Sequence, residues 1–162
     1  MDKHIKAPFD REEVKNLKAG DYVYIDGIVY SARDAAHKRM YDSIIESGCK
    51  DASGTELYEK KIVPIDLNGN VIYYLGPTPA KPGQVIGSAG PTTSSRMDKY
   101  TPLILSKGLC GMIGKGKRSP EVIQAIKDNG AVYLAAVGGA GALLSKCIKE
   151  SEVIAYDDLG TE

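Results

Sequence analysis

Hydrophobic and polar positions along this chain follow two periods, and the change from one to the other separates a hairpin-rich first half from a second half of alternating strands and helices. After a polar opening segment, YVYI and IVYSA alternate between Asp21 and Ala32 around Asp26-Gly27, a dipeptide suited to a type I′ turn, and this pattern predicts a β-hairpin. From Asp34 to Glu46 the period lengthens: Ala36, Met40, Ile44 and Ile45 fall on one helical face, with Gly48 as the stop. The hairpin thus delivers Arg33 and Asp34 to a helix start. Residues 47–61 are polar and read as a surface connection. IVPIDL and VIYYLG, separated by Asn68-Gly69-Asn70, predict a second hairpin that the proline-rich stretch from Pro77 to Gly83 closes.

Gln84 to Ala89 reads as a small-residue strand running into Gly90-Pro91-Thr92-Thr93-Ser94-Ser95-Arg96, and MDKYTPLILSKG as a helix interrupted by Pro102. A strand over 110–114 follows, then Ser119-Pro120-Glu121 as N-cap, first-turn proline and acidic first turn of a helix ending at Asn129-Gly130. Beyond it come a strand over 131–137, a tight junction at Gly138-Gly139-Ala140-Gly141, a short helix over 142–149 and a last strand over 152–156. These elements predict one α/β domain over residues 1–162, a mixed sheet with packed helices, without internal repeats.

Composition narrows the classes. Apolar residues make up 43% and charged residues 26%, the balance of an ordinary globular domain. Twenty-one basic side chains offset twenty-one acidic ones, so no global field draws the chain to nucleic acid or an anionic membrane, and any anion site is local. The opening residues lack an apolar signal core, and the weakly polar stretch from Ala131 to Leu144 is too short and glycine-rich to span a bilayer; a cytoplasmic protein is expected. Cys49, Cys110 and Cys147 stand at wide spacing, unlike a zinc ribbon or a ferredoxin, and read as buried or semi-buried thiols, so that any iron–sulfur cluster belongs to another chain.

The candidate chemistry is anion binding. Hydroxyls and backbone amides of residues 90–96 gather at a helix start, where unpaired N–H groups and the helix dipole favour a carboxylate or phosphate; helix capping by Thr92, Thr93 or Ser94 is the structural alternative. Arg96, one turn in, adds a guanidinium able to clamp a carboxylate through two hydrogen bonds. Ser31 to His37 brings Arg33 and His37 to another helix start. Gly114-Lys115-Gly116-Lys117-Arg118-Ser119 is a basic turn, but no hydroxyl follows Lys115 and the P-loop spacing fails. GGAG with Asp157-Asp158 about twenty residues on imitates a dinucleotide fingerprint, yet Leu144 stands where the third glycine belongs.

The segments SARDAAHKR, VIYYLGPTPAKPGQVIGSAGPTTSSRMDKYTP, MIGKGKRS and AVYLAAVGGAGALL resemble the β subunit of two-subunit class I fumarases, over residues 18–162 and in the same order. The central motif GPTT-x-x-RMD is specific to iron–sulfur fumarate and tartrate hydro-lyases. The resemblance implies a swivelling β/β/α fold, reversible hydration of fumarate to L-malate in the tricarboxylic acid cycle, and a four-iron four-sulfur cluster held by cysteines of a partner α subunit, without which the chain is inactive. It implies substrate carboxylate binding by Arg33, Arg96 and Lys115, with Thr92 and Thr93 beside the substrate and Thr92 as the proton-transfer group. His37 then orients Arg33 or Asp34, or is structural. An L-tartrate dehydratase β subunit shares the motif, although RDAAH and GGAGALL look closer to fumarases; a non-catalytic dicarboxylate-binding or interaction domain is the third class. Family members continue beyond the position of Gly160, so a shortened C-terminus is expected.

Overall fold

Why the chain builds two parallel sheets rather than hairpins is visible at its first strand, within what looked like a featureless polar opening. The computed structural model describes residues 2–136 and 141–162, apart from the side chain of Leu143. Strand β1 (Asp2–Ala7) turns Ile5 and Ala7 inward and pairs in parallel with β2 (Tyr22–Gly27), from Asp2 opposite Tyr22 to Ala7 opposite Gly27. Helix α1 (Arg11–Lys15), capped by the Asp10 carboxylate on Glu12 N, makes the crossover. Gly27 has φ 101° and lies so close to the Ala7 backbone that a Cβ would collide with the Ala7 carbonyl. Asp26 and Gly27 are therefore the last paired residues of β2 and not a two-residue turn, and the chain passes from Gly27 to a second sheet. The expected first hairpin does not form.

That second sheet has the order β3 (Tyr30–Ser31), β4 (Val71–Tyr73), β5 (Gly111–Gly114), β6 (Val132–Ala135), with every pairing parallel. The second expected hairpin is absent too. Residues 62–67 form turns that drop Val63, Ile65 and Leu67 into the core, and Asn68-Gly69 turns the chain into β4 with Gly69 at φ 78°. Neither 84–89 nor 152–156 is a strand. Pro102 interrupts nothing: it starts α4 (Thr101–Ser106), separate from a 3-10 turn over Ser94–Met97. The expected junction at 138–140 lies outside the described residues.

The helices follow their local signals closely. Helix α2 (Asp34–Ser47) ends at left-handed Gly48 and buries Ala36, His37, Met40 and Ile44, while Ile45 faces outward. Helix α3 (Gly54–Glu59) is capped by Ser53, and α5 (Pro120–Asn129) by Ser119, whose Oγ accepts from Val122 N at 3.3 Å; α5 stops at left-handed Gly130. A short α6 (Gly141–Ser145) follows. Along β4 all three side chains are buried. Ile72, with Tyr74 just beyond, joins Met40, Ile44, Leu57 and Met112, whereas Val71 packs with Phe9 and Val14 from the first sheet's side. Burial on both faces is what a parallel sheet requires, and it ties the two sheets together.

Candidate functional site

Because β3, β4 and β5 run the same way, their carboxyl ends deliver Arg33, Tyr74 and Lys115 to one edge of the sheet, the edge at which open α/β sheets bind ligands. The turn at 91–96 is pinned into that edge by backbone bonds. Thr92 N donates to Tyr74 O at 2.7 Å, Lys115 N to Thr92 O at 3.4 Å and Ser94 N to Lys115 O at 2.9 Å, forming a parallel bridge between Thr93 and Lys115. The bridge fixes Thr92, Thr93 and Lys115 as neighbours. Thr92 is half-buried, and Thr93 and Lys115 are exposed. Neither threonine side chain caps the 3-10 turn that follows, so their hydroxyls are not consumed there.

Arg96 reaches from that turn to the start of α2, where Nη2 donates to Asp34 Oδ2 at 2.9 Å. Burial alone would raise the Asp34 carboxyl, but the hydrogen bond from Arg96 and the charges of Arg96 and Arg33 hold it below its usual value. Arg33 is half-buried beside it. Its Nη2 donates to Glu162 Oε1 at 3.1 Å and Thr161 Oγ1 at 3.2 Å, while Ala35 N donates to Glu162 Oε2 at 2.9 Å. One guanidinium and one amide at a helix start therefore share a carboxylate, the chain's own. Arg33 Nε and Asp34 Oδ1 are buried and have no hydrogen-bond partner. Arg33 is held close by Gly76, where a Cβ would strike its guanidinium.

His37 lies beneath this corner, 1% exposed, with Nδ1 2.8 Å from Arg33 O and its ring edge-on to Tyr74. It orients the Arg33 backbone from inside the core and does not reach the surface. Desolvation, assisted by the charge of Arg118, lowers its pKa to about 4 despite the opposing bond to Arg33 and the charge of Asp34. The unfolded chain therefore takes up this proton near pH 6.5 and the folded chain only near 4, so stability is complete above 6.5 and falls as the pH drops through that window. The residue's contribution to the loss from pH 7 to pH 4 is expected to be about 3 kcal/mol, at 1.36 kcal/mol per pH unit. Urea unfolding of wild type and His37→Gln at both pH values checks it: the variant's curve should be flatter by that amount, and equal slopes would refute it.

Sequence reading missed the polar layer under the site. Arg118, read from the sequence only as part of a basic turn, is buried and lies over the rings of Tyr74 and Tyr133, at 5.1 and 4.9 Å. Its Nε donates to Asp98 Oδ1 at 2.8 Å, and its Nη2 to Tyr74 OH at 3.1 Å and Thr101 Oγ1 at 3.0 Å. Asp98 Oδ2 in turn accepts from Ser119 N at 2.9 Å. Alternation of one arginine among three cations gives no local signal for burial; the aspartate of RMD, twenty residues away, is its partner.

The described residues offer no fit for a metal cluster. Among them, no three or more His, Cys, Asp or Glu side chains converge to hold a metal ion; Cys49 and Cys110 pack in different core clusters, and Cys147, expected to be buried or semi-buried, is exposed on the short segment after α6. No described helix is long and apolar enough to cross a membrane.

Residues 3–162 match the family model described as Fumarase C-terminus. The chain is 37% identical over 160 residues to a Geobacillus stearothermophilus protein assigned as a class I fumarate hydratase, covering 96% of the chain but 28% of that relative. It is 38% identical over 154 residues to a Methanocaldococcus jannaschii protein assigned as the beta subunit of an L(+)-tartrate dehydratase, covering 93% of the chain and 72% of the relative. The anaerobic class I fumarate hydratase of Escherichia coli is 36% identical over 140 residues, with 85% of the chain and 23% of the relative covered. The chain thus spans about a quarter of the fumarate hydratases and most of the tartrate dehydratase subunit.

Proposed function

The chain belongs to the Fumarase C-terminus family, and on that premise we propose that it is the β subunit of an iron–sulfur-dependent hydro-lyase, supplying the dicarboxylate-binding wall for reversible hydration of fumarate to L-malate. The observation that carries this reading is the convergence of Thr92, Thr93 and Lys115 in one backbone bridge with Arg33 and Arg96 at the start of α2. Three cations and two hydroxyls at a sheet edge suit a small dianion that must also exchange a proton. The four-iron four-sulfur cluster implied by the resemblance has no ligand set among the described residues, and we assign it to a partner α chain.

Arg33 and the Ala35 amide take one substrate carboxylate, in the manner in which they hold that of Glu162. Arg96 and Lys115 take the other. Hydration puts a hydroxyl on one alkene carbon and a proton on its neighbour, and the Thr92 hydroxyl is the group on this wall that transfers the C3 proton. A free hydroxyl is too weak a base near neutrality. The charges of Lys115 and Arg96 favour its anionic form, and the site gains further when the substrate and partner chain exclude water.

The 72% coverage of the tartrate dehydratase subunit supports a second reading, since the same cations bind tartrate. Turnover of malate and of tartrate by the chain assembled without oxygen with its cluster-bearing partner separates them. Malate is expected to be the faster substrate; a preference for tartrate would assign the chain to the second activity, and binding without turnover would leave a dicarboxylate-binding domain.

A further inference from the structure

Beside the Arg33 corner, the proposed site stands on two turns, 91–96 and 115–116, whose spacing sets the distance between the threonine hydroxyls and the Lys115 ammonium. Two backbone bonds join these turns directly, and one of them is long, at 3.4 Å. What holds them from below is a single buried side chain. Arg118 lies two residues beyond the second turn, and its partner Asp98 caps the 3-10 turn into which the first one runs. Its Nη2 reaches Tyr74, whose carbonyl holds Thr92, and Thr101, at the start of α4, while Nη1 meets Met112 Sδ at 3.6 Å. Tyr133, stacked under the guanidinium, completes the frame: its OH donates to Gly116 O at 2.8 Å, and since that uses its single proton, the 2.7 Å contact with Ser94 Oγ has the serine as donor. One phenol thereby ties a residue of the first turn to one of the second. Gly114 is confined by the same frame, since a Cβ there would strike Ser94 Oγ and the Tyr74 ring.

We propose that Arg118, with Asp98 and Tyr133, is a positioning residue of the hydro-lyase reaction: it touches no substrate and fixes the spacing between the Thr92-Thr93 hydroxyls and Lys115. This inference rests on the dicarboxylate reading of the site. A buried arginine that served stability alone would need only a counter-charge, whereas this one divides its donors between segments leading to both turns and stacks between two rings. A planar fork is required for that, and a lysine cannot supply it. Displacement by about 1 Å of a group held for reaction costs roughly a hundredfold in rate. Arg33 stands at the start of α2, and its side chain bonds Glu162 and Thr161 rather than any member of the Arg118 frame, so one carboxylate contact is kept and kcat takes most of the loss.

The test uses Arg118→Lys, which leaves Asp98 with a counter-charge, and Tyr133→Phe, which removes only the hydroxyl and keeps the ring. In the assembled two-chain enzyme, Arg118→Lys is expected to lower kcat about a hundredfold and Tyr133→Phe about tenfold per folded complex. Amide hydrogen exchange should become faster over 92–96 and 114–117 in both. Val14→Ala, a core substitution under the other sheet, is the stability reference and should keep wild-type kcat per folded complex. Unchanged exchange in the two turns overturns the proposal, as does loosening of the turns with kcat within twofold of wild type. Should Arg118→Lys fail to fold, Tyr133→Phe decides on the same criteria. Arg96→Lys and Lys115→Met run alongside: if these direct contacts keep full turnover, the dicarboxylate reading itself falls, whereas their failure beside an unaffected Arg118→Lys removes only the positioning role.

Discussion

An oxygen-free assay of fumarate hydration is expected to give no turnover with this chain alone, none with a cluster-bearing α chain alone, and full turnover with the two together. On the proposed reading the chain supplies cations for two carboxylates and a hydroxyl for the proton, while among its described residues no three or more His, Cys, Asp or Glu side chains converge to hold a metal ion. Water is activated in metal hydro-lyases by a Lewis acid, so one wall without it binds and does not catalyse. Thr92→Ala in the mixture isolates the proton step. Thr92 is placed by a bond from its own N–H to Tyr74 O, which alanine retains, so the turn should keep its form while the rate falls by about a hundredfold or more, the usual worth of a general acid–base group. Turnover by this chain alone after metal removal would defeat the two-chain reading. An unaffected Thr92→Ala mixture would spare that reading and reject only the proton-transfer role.

Arg96→Lys is expected to cost roughly tenfold to over a hundredfold in turnover with little change in stability. Its ion pair with Asp34 joins side chains that are 49% and 33% exposed, and such pairs contribute about 1 kcal/mol or less. Lysine retains the charge, so Asp34 keeps a cation nearby. Lost instead is the planar pair of donors, and a charge-assisted hydrogen bond to substrate is worth about 1.5 to 3 kcal/mol, which sets the expected range of rate. Steady-state kinetics and a thermal melt on the same preparation decide it: a wild-type rate removes Arg96 from the clamp, and a collapse of the melting temperature would make Asp34 the partner that matters.

Elements whose signals are local could be read correctly from the residues. Helix α2 with its Gly48 stop and α5 with Ser119, Pro120 and Gly130 appear at the expected bounds within a residue or so, because caps act on amides three positions away. Strand partners are not local. Asn68-Gly69 does turn the chain, whereas Asp26-Gly27 is taken into β2; whether turn-forming residues fold two strands together depends on what else is available to pair, and β1 and β5 were better placed. The same distinction runs through the site. Thr92, Thr93, Arg96, Arg33 and Lys115 stood out through residue type and motif, and the fold gathers them on one edge. Asp98, Arg118, Tyr133 and the Glu162 contact escaped notice, since burial of an arginine and the identity of its distant partner are products of tertiary packing.

The all-parallel pairing also orders events in time. Tyr30 meets Ile72, Val71 meets Gly111 and Gly111 meets Val132, so each strand of the larger sheet must wait for a partner 42, 40 and 21 residues further along. A hairpin closes as soon as its second arm exists; here a growing polypeptide leaves β3 and then β4 with unsatisfied edges while the next crossover is synthesised, a non-local topology that assembles slowly and is exposed to misassociation meanwhile. The edge that joins Thr93 to Lys115 is consequently among the last features to be built, and a chain interrupted just before residue 115 carries helices α1 to α4 without the bridge that fixes the two turns.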